Sequence, residues 1–291
     1  MEEIQTMKIM RRFLLSFIGL LLTFLLAAAL TGRSERAYKV LPPDSVITVS
    51  GETTQVVVLA EQFVPRIFLR EKTFSPPLMW VWYEAVPTDT TIDIVYHFAW
   101  QNEHNPNQIL DILYSAYRAA YFGFPLYDIE YFQVSVSRVG GLIQQVRFET
   151  SGNEDYSQTF PKHFMVNATL KERNKYEIRR TNNSGLPLDT ALQNLRLIGK
   201  RFCVGLQTWN HAFVLLDSTK LEYRIPQNAP IKFLTDADYA RYKFARRSQG
   251  DYQTRENKLM LGVSWAAILA FIILTWNVRK NRGKIKRTMA S

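Results

Sequence analysis

Two unbroken apolar runs lie near the ends of this 291-residue chain, and they constrain it more than anything between them. Phe13 to Leu30, FLLSFIGLLLTFLLAAAL, carries no charge. At about 1.5 Å per residue it reaches roughly 27 Å, enough to cross a thin hydrocarbon core. Leu259 to Val278, LMLGVSWAAILAFIILTWNV, reaches about 30 Å and places Trp276 near one interface. Lys8, Arg11 and Arg12 precede the first run, and Arg279, Lys280, Arg282, Lys284, Lys286 and Arg287 follow the second at once. Basic flanks stay on the cytoplasmic side, so both termini are expected there. The first run reads as a signal anchor, its length exceeding a usual secretory core, or as a signal peptide cleaved near Ala27-Ala28-Ala29.

The expected organisation is therefore a cytoplasmic N-terminus (1–12), a transmembrane helix (13–30), an extracytoplasmic domain (31–258), a second transmembrane helix (259–278) and a basic cytoplasmic tail (279–291). The formal net charge of +10 agrees with this layout. Most of the excess sits in the basic tail, and the body between the runs is almost neutral, so no nucleic-acid partner is expected. A single cysteine, Cys203, excludes a disulfide framework and any Cys-based metal cluster within one chain. So large an outer domain without disulfides points to a periplasm, and hence to a bacterial inner membrane. Asn167-Ala-Thr169 and Asn182-Asn-Ser184 match the N-glycosylation pattern, which is short enough to arise by chance.

The body alternates strand and turn signals. Runs at 45–50 and 54–60 flank Gly51-Glu52 as a hairpin would. Strands are expected at 66–70, 78–86 and 91–100, the second apolar on both faces and therefore central. A helix from Asn107, capped by that residue, carries Ile109, Leu110, Leu113, Tyr114, Tyr117 and Tyr121 at helical spacing. The segments 128–138 and 142–150 form the clearest hairpin, and strands follow at 163–170 and 174–180. Pro187 to Lys200 reads as a helix from its stripe of Leu188, Leu192, Leu195 and Ile198. Short strands are expected at 202–207, 211–216 and 221–225, then a helix over 235–253 leading towards the second run. The expected fold class is α+β: a single extracytoplasmic domain with a largely antiparallel sheet and two or three helices, flanked by N- and C-terminal transmembrane helices.

Residues of catalytic type concentrate between positions 97 and 130. His97 lies in a strand, Glu103 and His104 in the following polar loop, and Asp128 and Glu130 open the next strand on one face. These are the catalytic candidates, as acid–base groups, and His97 and His104 the candidate ligands of a divalent metal; no other cofactor is expected. A plainer reading stands beside each. Glu103 and His104 sit where groups capping the following helix would sit, His97 and His211 (in TWNHAF) read as core histidines, and Cys203 as a buried small hydrophobe. No HExxH, GxSxG, P-loop or dinucleotide fingerprint occurs. Trp80, Trp82, Trp100 and Trp209 form either a bulky core or a stacking platform for sugars.

The plan of one span, one outer domain and one further span is similar to that of polysaccharide co-polymerases, which set chain length in envelope glycan export. That likeness is of topology alone: it covers no motif, and strands stand here where those proteins carry long helical hairpins. The function expected first is a membrane-anchored subunit or scaffold of a cell-envelope complex, with the lipid bilayer and another envelope protein as partners. The alternatives are a tethered hydrolase or glycan-modifying enzyme using the 97–130 cluster, and a module binding envelope carbohydrate or lipid.

Overall fold

Strands Leu78–Pro87 (β4) and Thr91–Trp100 (β5) pair in antiparallel register, Tyr83 opposite Tyr96 and Trp82 opposite His97, and the rest of the molecule is built outward from them. The computed structural model describes residues 18–19, 36, 38–70, 75–102, 104–122, 127–151, 163–172, 175–181, 187–208, 211–242 and 244. Beyond β5 the sheet continues as a meander through Asp128–Ser137 (β6), Ile143–Ser151 (β7), His163–Glu172 (β8), Lys175–Thr181 (β9) and Pro187–Asn194 (β10). On the other side β4 pairs in parallel with Ile231–Phe233 (β15), completing eight strands.

One face of this sheet is apolar at every second residue. Ile94, Tyr96, Phe98, Phe132, Val134 and Phe148 are buried on it. They pack against a helix, Val56–Phe63 (α1), and a smaller mixed sheet. That sheet contains Arg66–Arg70 (β3), Leu197–Ile198 (β11), Arg201–Leu206 (β12), Phe213–Leu215 (β13) and Tyr223–Gln227 (β14), with β12 parallel to β3. Gly205 on β12 has no substitute, because a Cβ there would lie 2.4 Å from the Tyr223 ring. A separate hairpin, Val46–Val49 (β1) with Glu52–Gln55 (β2), turns through Ser50 and Gly51, both at positive φ as a type I′ turn requires.

The expected α+β class is thus overturned. Strands dominate, the sheets are mixed, with parallel pairs at both β4–β15 and β3–β12, and helices beyond α1 are limited among the described residues to Gln108–Phe122 (α2), Asp236–Arg241 (α3) and the fragments at 18–19 and 244. No helix among the described residues is long and apolar enough to cross a membrane, so the flanking transmembrane helices of that expectation are not shown. Apart from Ile18 and Gly19, both apolar runs and all nine basic residues around them lie outside the described residues.

Two local expectations fail for opposite reasons. The segment 54–60 was expected as a strand from its valines, yet only its first two residues belong to β2 and a helix begins at Val56. Val56, Leu59, Ala60 and Phe63 are the buried set, the spacing of a helical face. The free N–H groups of Val56 and Val57 donate to the carbonyls of Ser45 and Pro43, at 3.0 Å each. Conversely, the segment 187–200 has a helical leucine stripe but forms β10 and β11, because β9 offers an unpaired strand edge and Arg180 pairs with Asp189 across it. Leu188 and Leu192 consequently face solvent. The helix at 108–122 forms as expected, with Asn107 Oδ1 accepting from the backbone N–H groups of Ile109 and Leu110 at 3.1 and 3.2 Å.

Candidate functional site

The apolar face of the large sheet ends in polar chemistry where β5 stops and β6 begins. The register sets Asp128 opposite Trp100, and the imidazole of His211 stacks on the Trp100 indole with centroids 4.3 Å apart and planes 6° from parallel. His211 has φ +60, a left-handed conformation uncommon for a residue with a Cβ. Local hydrogen bonds hold it there: the His211 N–H donates to Thr208 O, and the Ala212 N–H to the Thr208 hydroxyl.

His211 Nδ1 lies 2.5 Å from Asp128 Oδ2, and its Nε2 lies 3.1 Å from Ser75 Oγ. A carboxylate can only accept, so the ring proton sits on Nδ1 and Nε2 is left as the acceptor facing the serine hydroxyl. Ser75 immediately precedes Pro76-Pro77, which limits its backbone freedom, and the Pro77 carbonyl accepts from the Gln101 N–H to tie this segment to the end of β5. The Ser75 hydroxyl is also within 3.1 Å of the Pro76 carbonyl, so its proton has two acceptors in reach. Ser75 is half-buried, while the side chains of His211 and Asp128 are 1% and 8% exposed. Arg118, on α2, stands 3.6 Å from the other oxygen of Asp128 and is itself held by Tyr127 O and Asn102 Oδ1. It compensates a carboxylate that burial alone would make costly.

On the opposite face of the sheet a second carboxylate–imidazole pair is buried. Glu84 Oε1 lies 3.0 Å from His97 Nε2 and accepts from the Tyr38 hydroxyl at 2.6 Å; Glu84 Oε2 accepts from Arg36 Nε at 3.0 Å. Arg36 also donates to Leu234 O and pairs with Asp236 at the start of α3. Phe244 closes over the ring of His97 at 4.8 Å. Burial works to raise the Glu84 carboxyl, but His97, Tyr38 and Arg36 together outweigh it and hold the group below its ordinary value. Burial, then Glu84, pushes the Tyr38 phenol far up, so it stays a proton donor.

The sequence candidates therefore separate. Asp128 belongs to the Ser75–His211 relay, whereas His97 belongs to the closed cluster behind it. Glu130 is half-buried two residues along β6, opposite Phe98. His104 is exposed and bonds Asp111 at 3.1 Å, and the same Asp111 accepts from the Asn105 N–H: the helix-entry arrangement that was the plainer expectation. Glu103 lies outside the described residues. Among the described residues no group of three His, Cys, Asp or Glu side chains comes together to hold a metal, and the two candidate ligands, His97 and His104, have separate partners. Burial raises the Cys203 thiol, which keeps it unreactive. Trp80, Trp82 and Trp100 pack against Tyr127, Tyr242 and Phe213, among others, and not as an open platform; Trp209 lies outside the described residues.

Ser75, Arg118 and the pairing role of His211 were missed from sequence. His211 was read correctly as buried, but its side-chain partners stand 83 and 136 positions away, and no local pattern marks them. Comparisons of the chain with known protein families, with curated proteins and with solved structures find no match.

Proposed function

We propose that this chain is a membrane-tethered hydrolase that splits esters through Ser75, with its body on the outer side of a bacterial inner membrane. One observation carries the reading: serine, histidine and aspartate from three distant segments meet at 3.1 and 2.5 Å in the order nucleophile, base, orienting acid. As Ser75 Oγ attacks the acyl carbon, His211 Nε2 takes the hydroxyl proton. The tetrahedral intermediate then collapses as Nε2 returns that proton to the departing alkoxide oxygen. Water repeats the sequence on the acyl-serine, releasing a carboxylic acid and restoring the hydroxyl. Asp128 holds the ring orientation and stabilises the imidazolium formed in each half, and Trp100 fixes the ring plane.

The tether rests on the two apolar runs and their basic flanks. It is supported by the way the chain enters and leaves the body: Arg36, just beyond the first run, and Leu234 and Phe244, before the second, meet on one face of the large sheet over Glu84 and His97.

The test is labelling of the full-length protein in membranes with a fluorophosphonate, whose phosphorus is attacked by an activated serine with loss of fluoride. Stoichiometric adduct on Ser75, lost in His211→Ala, is expected. Absence of adduct at Ser75 together with no turnover of p-nitrophenyl esters sinks the reading. A second reading, a subunit of an envelope complex, is favoured by the exposed edge strand β10, which leaves Leu188 and Leu192 50% and 53% exposed. Its test is the composition of the particle extracted in mild detergent; a chain that emerges alone removes it.

A further inference from the structure

Among the described residues, no element packs over the far half of the large sheet's second face, beyond the Glu84 cluster. Two rows of polar side chains run across it at right angles to the strands. Gln133, Arg147, Asn167 and Arg179 are register partners in one row across β6 to β9. Gln145, Thr169 and Glu177 are partners in the next, which Asp93 on β5 extends through Ser135. The rows stand two residues apart on each strand, about 7 Å, and reach across β5 to β9, about 19 Å. Together they line a depression of about 570 Å³, within the range of ligand sites.

An ordinary solvated sheet face carries long side chains standing free in water. Here every lining residue but Arg179 is half-buried, and none is lysine. The chemistry is also selective. Among the lining residues two guanidinium groups are balanced by the carboxylates of Asp93 and Glu177, and Lys171, 3.4 Å from Glu177 at the margin, adds a single positive charge, too little to select a polyanion. Gln133 donates to Asp93 at 3.0 Å and Arg179 lies 3.7 Å from Glu177, which arrays donors and acceptors side by side in fixed orientation. Among the described residues no aromatic or aliphatic side chain lines it, so an acyl chain or an apolar peptide finds nothing there to displace water against. In addition, the strands beneath are paired on both sides, so no backbone edge is offered to an extended peptide.

We infer that this trough binds a neutral, hydroxyl-rich polymer, a glycan lying across the strands between the two rows. Amides, carboxylates and guanidinium groups are planar and offer paired contacts to vicinal hydroxyls, and a trough several strands wide suits a chain of linked sugars more than a single ring. The inference stands apart from the Ser75 relay, which lies on the other face. It also bears on Asn167-Ala-Thr169: both residues line the trough from an interior strand, β8, so the pair serves as ligand-binding side chains and not as a loop acceptor for N-glycosylation.

The experiment is calorimetric titration of the full-length protein in detergent micelles with chitohexaose, maltohexaose and the corresponding disaccharides. One hexasaccharide is expected to bind at sub-millimolar concentration, at least about tenfold more tightly than its disaccharide, and without weakening as salt is raised. Thr169→Val, which keeps the side-chain shape, and Asn167→Leu should each lower that affinity about tenfold with an unchanged melting temperature. Silence towards both hexasaccharides at millimolar concentration overturns the inference, as does affinity unmoved by both variants, or stronger binding of dextran sulfate than of either neutral chain. Because Ser75→Ala leaves the trough intact, binding retained in that variant separates this inference from the hydrolase reading.

Discussion

Two buried carboxylate–imidazole pairs lie on opposite faces of one sheet, each with an arginine beside its carboxylate and an aromatic ring against its imidazole, and they differ in the hydroxyl that joins them. In the Glu84–His97 pair the carboxylate has Arg36 and Tyr38 as further partners, and Phe244 packs on the imidazole. That cluster is closed, and its geometry is that of a clasp holding the segments that lead to the two apolar runs. In the Asp128–His211 pair the second ring nitrogen faces a half-buried serine hydroxyl. The same two functional groups thus sit in a closed cluster in one place and, in the proposed hydrolase, would carry proton transfer in the other. Both carboxylates have an arginine beside them; what separates the pairs is where the hydroxyl stands, on the carboxylate at Glu84, which receives the Tyr38 proton, and on the far imidazole nitrogen at His211, which faces Ser75.

The largest expected effect is on the open pair. Ser75→Ala should lower ester turnover by roughly 10⁴-fold while leaving thermal unfolding unchanged. A variant that keeps a tenth of the wild-type rate would erase the distinction between the pairs. The closed pair should respond in the opposite sense. Glu84→Ala leaves the buried guanidinium of Arg36 without its main counter-charge and should cost about 3 kcal/mol or more of stability in a denaturant titration. Turnover per folded molecule should stay within a few-fold of wild type; loss of activity without loss of stability would mean that the clasp takes part in chemistry.

A smaller effect concerns acid. Because the folded state holds the Glu84 carboxyl below its ordinary value of 4.5, the stability it contributes is whole above that pH and is lost as pH falls through the lower folded value. Glu84→Gln should therefore flatten the acid limb of the stability profile below about pH 4.5, and an unchanged limb would remove Glu84 as its source. The smallest effect is expected at Trp100→Phe. The indole N–H is buried without an acceptor among the described residues, so its removal offsets part of the lost stacking on His211, and a net cost of about 1 kcal/mol is expected by thermal melting.

Strand positions were legible where the pattern had one reading. Leu78–Val86, Thr91–Trp100 and the hairpin from Asp128 to Thr150 stand where alternation and their turns put them. The chain misled where β-branching and periodicity disagreed: valines at 56–58 signalled a strand while burial followed helical spacing, and leucines at 188, 192 and 195 signalled a helix on what became a sheet edge. Of the candidate site, only Asp128 was legible, as a carboxylate at a strand start. His104 and His97 attracted attention because they lie near other polar groups in sequence; His104 pairs with Asp111 at the entry of a helix, and His97 joins a buried cluster with Glu84 and Phe244.

By itself the sequence determined the two apolar runs, the near-neutral body between them, the absence of a disulfide framework and most of the strand list. These follow from composition and from periods of two that any segment carries alone. Tertiary structure alone decided which strands became neighbours, that β3 and β12 run parallel, and that Ser75, Asp128 and His211 share one end of the sheet. The reason is physical: a strand leaves its backbone donors and acceptors to be satisfied by some other strand, and a buried side chain takes its partners from whatever packing brings within 3 Å. Neither choice is written in the residues next to it.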